Sequence, residues 1–145
     1  NNVAVNDGLV NIVQLYHGRG GTGEWNIIGY DVEGKPTQCI MEVKATSLDT
    51  YFINETIHLV KIDVEGAEYQ VLQGMKRILK ESRPLLIIEF HNNLVLESKQ
   101  ILKENNYKLW GIESECWVDD ITFRCHCLAI PKEKVEQTSL INTKR

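Results

Sequence analysis

Leu59-Val60-Lys61-Ile62-Asp63-Val64-Glu65-Gly66-Ala67-Glu68 reads as an apolar strand, interrupted by Lys61 and Asp63, that runs straight into a helix. From Gly66 to Lys80 the residues Ala67, Val71, Leu72, Met75, Ile78 and Leu79 recur at helical spacing. Pro84 ends the connection, and Leu85 to His91 is the next strand. Strand, helix and strand in this order are the pattern of a parallel β-α-β unit, so the stretch sets the fold class as α/β.

The pattern continues on the C-terminal side. Leu94 to Asn106 is a second helix with Leu94, Leu96, Ile101 and Leu102 as its apolar positions, stopped by Asn105-Asn106. Tyr107 to Ile112 and Phe123 to Ile130 are two further strands around a polar connection at Glu113 to Asp120, and Pro131 to Arg145 is polar and expected to fray. The domain is thus expected to span residues 1–131, with a tail at 132–145. Toward the N-terminus the character differs. Asn2 to Val5 is a short apolar run that meets a turn signal at Asn6-Asp7-Gly8. Val10 to Tyr16, Glu24 to Tyr30 and Gln38 to Ala45 are rich in β-branched and aromatic residues, and Gly18–Gly23 and Asp31–Pro36 separate them. This part reads as an antiparallel β-meander.

With 145 residues, 43% hydrophobic and 25% charged, the chain is sized and composed for one soluble core. A net charge of −4 with scattered Lys and Arg argues against a nucleic-acid partner, whose phosphates favour a basic face. No run is as long as a membrane span and no basic-then-apolar leader opens the sequence, so a cytoplasmic setting is the expectation. Cys39, Cys116, Cys125 and Cys127 are too irregular for a disulfide scaffold. In Phe123 to Ile130, Cys125 and Cys127 share one face and His126 takes the other, which suits a strand better than a zinc knuckle.

Two motifs fail on context. Gly18-Arg19-Gly20-Gly21-Thr22-Gly23 matches the dinucleotide fingerprint, but a strand and not a phosphate-receiving helix follows it. Asp-Val-Glu-Gly at Asp31–Gly34 runs into Lys35-Pro36, which forbids a helix there and makes it a turn. The second copy, Asp63–Gly66, lies where open α/β sheets place ligands, at the C-terminal end of a strand. The neighbouring strand ends in Glu89-Phe90-His91. Residues two apart share a strand face, so Asp63 with Glu65, and Glu89 with His91, converge on one rim, where crowded like charge is expected to raise some carboxyl pKa values. The competing reading has Glu65 and Glu68 placed only by the helix dipole, with Glu89 and His91 as solvated strand ends.

Ser47-Leu48-Asp49-Thr50-Tyr51, the stretch Leu59 to Glu68, Val71-Leu72 with Gly74, Arg83-Pro84 and Ile87-Ile88-Glu89 together resemble the successive motifs of the FkbM methyltransferase family, over about Asn2 to Ile130. The resemblance implies a Rossmann-like methyltransferase sheet with a β-hairpin insertion and a C-terminal antiparallel hairpin. It implies that this chain is the C-terminal part of such a domain, lacking the N-terminal strands and glycine-rich loop that hold the cofactor. It also implies methyl transfer from S-adenosylmethionine, usually to a hydroxyl oxygen of a sugar or secondary metabolite. The chain alone is then expected to be inactive and open to self-association along an unpaired sheet side. Asp7 is the position left to touch the cofactor.

In the mechanism this implies, Asp63, Glu65, Glu89 and His91 orient and deprotonate a small-molecule or glycan hydroxyl, with His91 as base. A variant has the same oxygens hold Mg²⁺, and it ranks below a metal-free site because the resemblance requires no metal. The alternative from another class is a non-catalytic, degenerate methyltransferase-like module used for binding or assembly.

Overall fold

The computed structural model describes residues 8–16, 24–28, 41–64, 66–91, 95–118 and 125–137, with 8–16, 24–28 and 41–45 as backbone. The expected strand at Asn2 to Val5 and both glycine-containing decoy motifs lie outside these residues.

Three N-terminal strands, β1 (Gly8–Tyr16), β2 (Glu24–Ile28) and β3 (Met41–Ala45), form an antiparallel sheet. Its order is β2-β1-β3, so it is not the expected meander. The hairpin β1–β2 forms, with Ile12 opposite Ile28 and Tyr16 opposite Glu24. The third strand returns to the other edge of β1, with Gly8 opposite Ala45 and Ile12 opposite Met41. The connection 29–40 is longer than the roughly two to five residues of a hairpin loop, so nothing obliges β3 to stay beside β2.

The second sheet carries the α/β part. It contains β4 (Leu59–Ile62), β5 (Leu85–Phe90), β6 (Tyr107–Gly111), β7 (Cys116–Trp117) and β8 (Cys125–Pro131), in the order β4-β5-β8-β6-β7. β4 and β5 are parallel, with Leu59 opposite Leu85 and Ile62 opposite Ile88. β8 is antiparallel to both β5 and β6, so β6 runs parallel to β5 with β8 inserted between them. The expected C-terminal antiparallel pair is present. The polar connection between its strands is not all loop, since Cys116-Trp117 pairs with Trp110-Gly111.

The helices α1 (Leu48–Tyr51), α2 (Glu68–Gln73), α3 (Lys76–Glu81) and α4 (Val95–Glu104) complete it. The periodicity at Gly66–Lys80 predicts one helix, and the chain makes two. Gly74, a poor helix former, closes α2, and its carbonyl accepts the backbone N–H of Asp49 at 3.0 Å. The Asp49 carboxylate then accepts the N–H groups of Arg77 at 2.7 Å and Ile78 at 3.0 Å, capping α3 from far away in sequence. Arg77 returns the contact, donating to the carbonyls of Asp49 and Phe52 at 3.2 and 2.6 Å. The apolar stripe survives the break: Val71, Leu72, Met75, Ile78 and Leu79 are all buried, together with Ile62, Leu86, Ile88, Phe90, Leu102, Cys127 and Ala129.

The expected frayed tail is ordered at its start, where Lys132–Gln137 form a 3₁₀ helix. Arg83, in the left-handed region at φ 54°, grips Glu133 with two bonds of 2.7 Å and also reaches carbonyls of Leu79, Asn105 and Asn106. That fork holds the Glu133 carboxyl down at about 2. No helix among the described residues is long and apolar enough to cross a membrane.

Replacing Asp49 by Ala removes the cap of α3 and leaves two amides without it, and is expected to cost about 1–2 kcal/mol. Urea unfolding followed by tryptophan fluorescence measures this. A loss below about 0.3 kcal/mol would mean that α3 caps itself.

Candidate active site at the rim of the parallel strands

β4 and β5 end side by side, and the residues at and just beyond their C-terminal ends meet. Ligand atoms of Asp63, Glu89 and His91 all lie within 4.8 Å of one another. Three of the four residues singled out at this rim are therefore brought together. Glu65 and Asp7 lie outside the described residues.

Beyond Asp63 the chain must turn into α2, and Gly66 makes the turn at φ 101°, where a side chain would be strained. Ala67, at the N-cap of α2, offers no side-chain bond, and Glu68 reaches back so that Oε1 accepts the Gly66 N–H at 2.8 Å. The same oxygen is 3.0 Å from His91 Nδ1. Glu68 is 1% exposed and the His91 side chain 5%, so neither is a solvated terminus. Glu68 is the site residue that sequence reasoning missed, assigning it only to the dipole of the first turn. The signal was legible, since Glu68, Val71 and Leu72 stand at i, i+3 and i+4 and share the buried stripe.

From His91 the contacts continue outward. Its Nε2 is 3.0 Å from Glu89 Oε1, and the other oxygen of Glu89 is 3.0 Å from His126 Nε2. His126 faces Glu89 because β8 is inserted antiparallel, which puts the two residues directly opposite. Its Nδ1 meets Glu113. Carboxylate and imidazole thus alternate from the buried Glu68 to the exposed Glu113. The opposite face of β8 carries Cys125 and Cys127, sulfurs 3.6 Å apart, as the alternation predicts. Burial pushes both thiols up, away from reactivity.

The crowding of carboxylates does not raise Asp63. Lys61, two residues earlier on the same strand face, bonds Oδ2 at 2.7 Å, and that bond above all holds the Asp63 carboxyl below its usual range, with His91 and His126 adding to it. The expected upward shift fails there because a cation stands closer than the like charges. On the other flank, the Glu113 bond chiefly raises His126 above its usual value.

A mixed α/β chain with acidic and imidazole groups gathered at parallel strand ends is built as an enzyme of the α/β class would be. A family model described as the Methyltransferase FkbM domain matches residues 1–109, and the chain belongs to this family. The match lies in the N-terminal part of the chain and stops within β6, short of the Ile130 to which the motif resemblance extends, so β7 and β8 with His126 lie beyond it. Comparison with curated proteins and with solved structures found no match.

His126 is expected to titrate above the ordinary value of about 6.5, and Glu113→Gln to bring it back down. Ring-proton NMR across the titration reads both. A folded-state value raised in this way gives stability that is full below the unfolded value and fades as pH rises through the folded one. Coincident titrations of parent and variant would show that Glu113 does not hold the ring.

Proposed function

We propose that the chain belongs to an S-adenosylmethionine-dependent enzyme that methylates a hydroxyl oxygen, and that the rim at Asp63, Glu89 and His91 receives the acceptor. The observation that carries this reading is the graded exposure along the rim. Asp63 and Glu89 side chains are 33% and 24% exposed, while His91 behind them is nearly buried. The two carboxylates are therefore the groups an incoming hydroxyl meets, and both only accept hydrogen bonds.

In this account Asp63, steadied by Lys61, orients the hydroxyl, and Glu89 takes its hydrogen bond. Glu68 Oε1 lies 3.0 Å from His91 Nδ1 and Glu89 Oε1 3.0 Å from Nε2, so the ring is held directly behind Glu89, where it takes up the proton that Glu89 receives. Glu65 belongs to the same rim in this reading.

S-adenosylmethionine, when bound, supplies a methyl group on a sulfonium. The residues fit such a group in charge, since a rim of carboxylates favours a nearby cation, and Asp7 is the proposed contact on the cofactor side. The Rossmann-like arrangement is part of the same proposal, supported by the parallel pair β4 and β5 and by the antiparallel β8 inserted beside β6. The acceptor is proposed to be a sugar or a secondary metabolite, in keeping with the family.

In the full-length protein, Asp63→Asn and His91→Ala are each expected to lower turnover about a hundredfold or more, while cofactor affinity changes little. Transfer of a labelled methyl group to hydroxylated acceptors, with cofactor affinity from isothermal titration, separates the two effects. Near-parental turnover in both variants, or a label on nitrogen or carbon, would contradict the reading.

A further inference from the structure

We infer that the groove between α4 and the sheet edge at β6 and β7 is a docking surface for a bilayer containing anionic phospholipid, whose headgroup phosphates meet lysines there. The inference is independent of the reaction at the rim. The groove has a volume of about 800 Å³, and Lys99, Lys103, Lys108 and Lys132 line it with no aspartate or glutamate among the described residues. In a chain of 16 cationic and 20 acidic residues, the lining reverses the overall sign of charge. Glu104 stands beside it, accepting from Gln100 Nε2 at 2.7 Å.

The lysines come together from three elements. On α4, Leu96, Lys99, Gln100 and Lys103 stand at i, i+3, i+4 and i+7 and share one face, while Val95, Ser98 and Leu102 form the stripe that packs onto the fold. On the sheet, β7 is two residues long and pairs with Trp110 and Gly111, so the start of β6 is open on that side among the described residues. Lys108 projects there beside Trp117, its ammonium 5.2 Å from the ring centre. Lys132, at the start of the 3₁₀ helix, is placed by its backbone N–H bond to the Asn106 carbonyl at 3.0 Å.

A lysine on a sheet edge also guards that edge against strand pairing, and this accounts for Lys108. It does not account for the lysines on α4 and the 3₁₀ helix, nor for two large apolar side chains left in water among them: Leu96 is 67% exposed and Trp117 37%. A soluble phosphate or an acidic peptide would use the lysines and give Leu96 no role. A bilayer uses both sets of groups. Its surface carries the anionic charge, its interface takes up leucine and tryptophan, and lysine stems lie along the apolar contact with their ammonium groups at the phosphates. Basic clusters of about four to eight residues on an amphipathic helix or its surroundings are the pattern that holds anionic lipid.

The test is co-sedimentation of the 145-residue chain with vesicles of phosphatidylcholine and phosphatidylserine in equal parts, and with vesicles of phosphatidylcholine alone, at low ionic strength. The chain is expected to pellet with the anionic vesicles and to stay in solution with the neutral ones. Each lysine near such a surface strengthens binding about fivefold, so Lys103→Gln combined with Lys108→Gln is expected to weaken it about twentyfold. Lys76→Gln combined with Lys80→Gln removes the same charge from α3, outside the groove, and is expected to bind as the parent does. Leu96→Ser is expected to weaken binding about tenfold with the charge unchanged. All five side chains are exposed, and far-UV circular dichroism confirms that each variant is folded. A parent chain that stays in solution with the anionic vesicles overturns the inference. Equal weakening by the two lysine pairs overturns it too, by reducing the effect to net charge, and parental binding by Leu96→Ser reassigns the groove to a soluble anion.

Discussion

Everything at the rim depends on a carboxylate that water cannot reach. Glu68 is 1% exposed, and a buried charge is costly unless hydrogen bonds compensate it. Here one oxygen takes both the Gly66 N–H and His91 Nδ1, so the requirement to satisfy Glu68 joins the β4-to-α2 turn to the end of β5. The turn supplies its amide only because Gly66 adopts φ 101°, and the ring is held in one orientation only because Glu68 is there to hold it. Structure and chemistry meet at one contact: the group that caps the turn also sets which imidazole nitrogen faces Glu89.

Two other polar ties support this arrangement from outside. Asp49 bridges the break between α2 and α3, and Arg83 binds the end of α3, the end of α4 and the 3₁₀ helix together. Both residues stand in the motifs by which the chain resembles its family, and the structure gives each a physical task that has no catalytic content. Asp49 caps and Arg83 clamps. The helices they position cover one face of β5, where Leu86, Ile88 and Phe90 are buried, and leave Glu89 to the other side. A motif shared across a family can thus mark the framework as readily as the site.

What could be read from the chain follows from how local each signal is. The β4-helix-β5 unit, the helix α4, the face shared by Cys125 and Cys127 and the pairing of Glu89 with His91 all rest on periodicity within one element, and these the structure retains, except that α4 buries Val95, Ser98 and Leu102 and leaves the expected apolar position Leu96 exposed. The order β2-β1-β3 and the helix break at Gly74 depend on partners remote in sequence, and periodicity carries no record of them. His126 is the same kind of case, since it becomes a neighbour of Glu89 only through the register of an inserted antiparallel strand. Glu68 differs, because its place on a buried stripe was visible and its charge disguised it. Asp63 shows a further limit: counting carboxylates gives the wrong direction of shift when a lysine two residues away lies nearer than any of them.

The contact between Glu68 and His91 is therefore the claim to test, and a double-mutant cycle with Glu68→Gln, His91→Gln and the pair tests it most directly. Unfolding free energies of the four proteins from urea denaturation isolate the coupling between the two side chains. A buried carboxylate bonded to an imidazole predicts a coupling of about 1.5 kcal/mol or more. A coupling below about 0.5 kcal/mol, with the two substitutions simply additive, would contradict the account and leave the rim without the interaction that organises it.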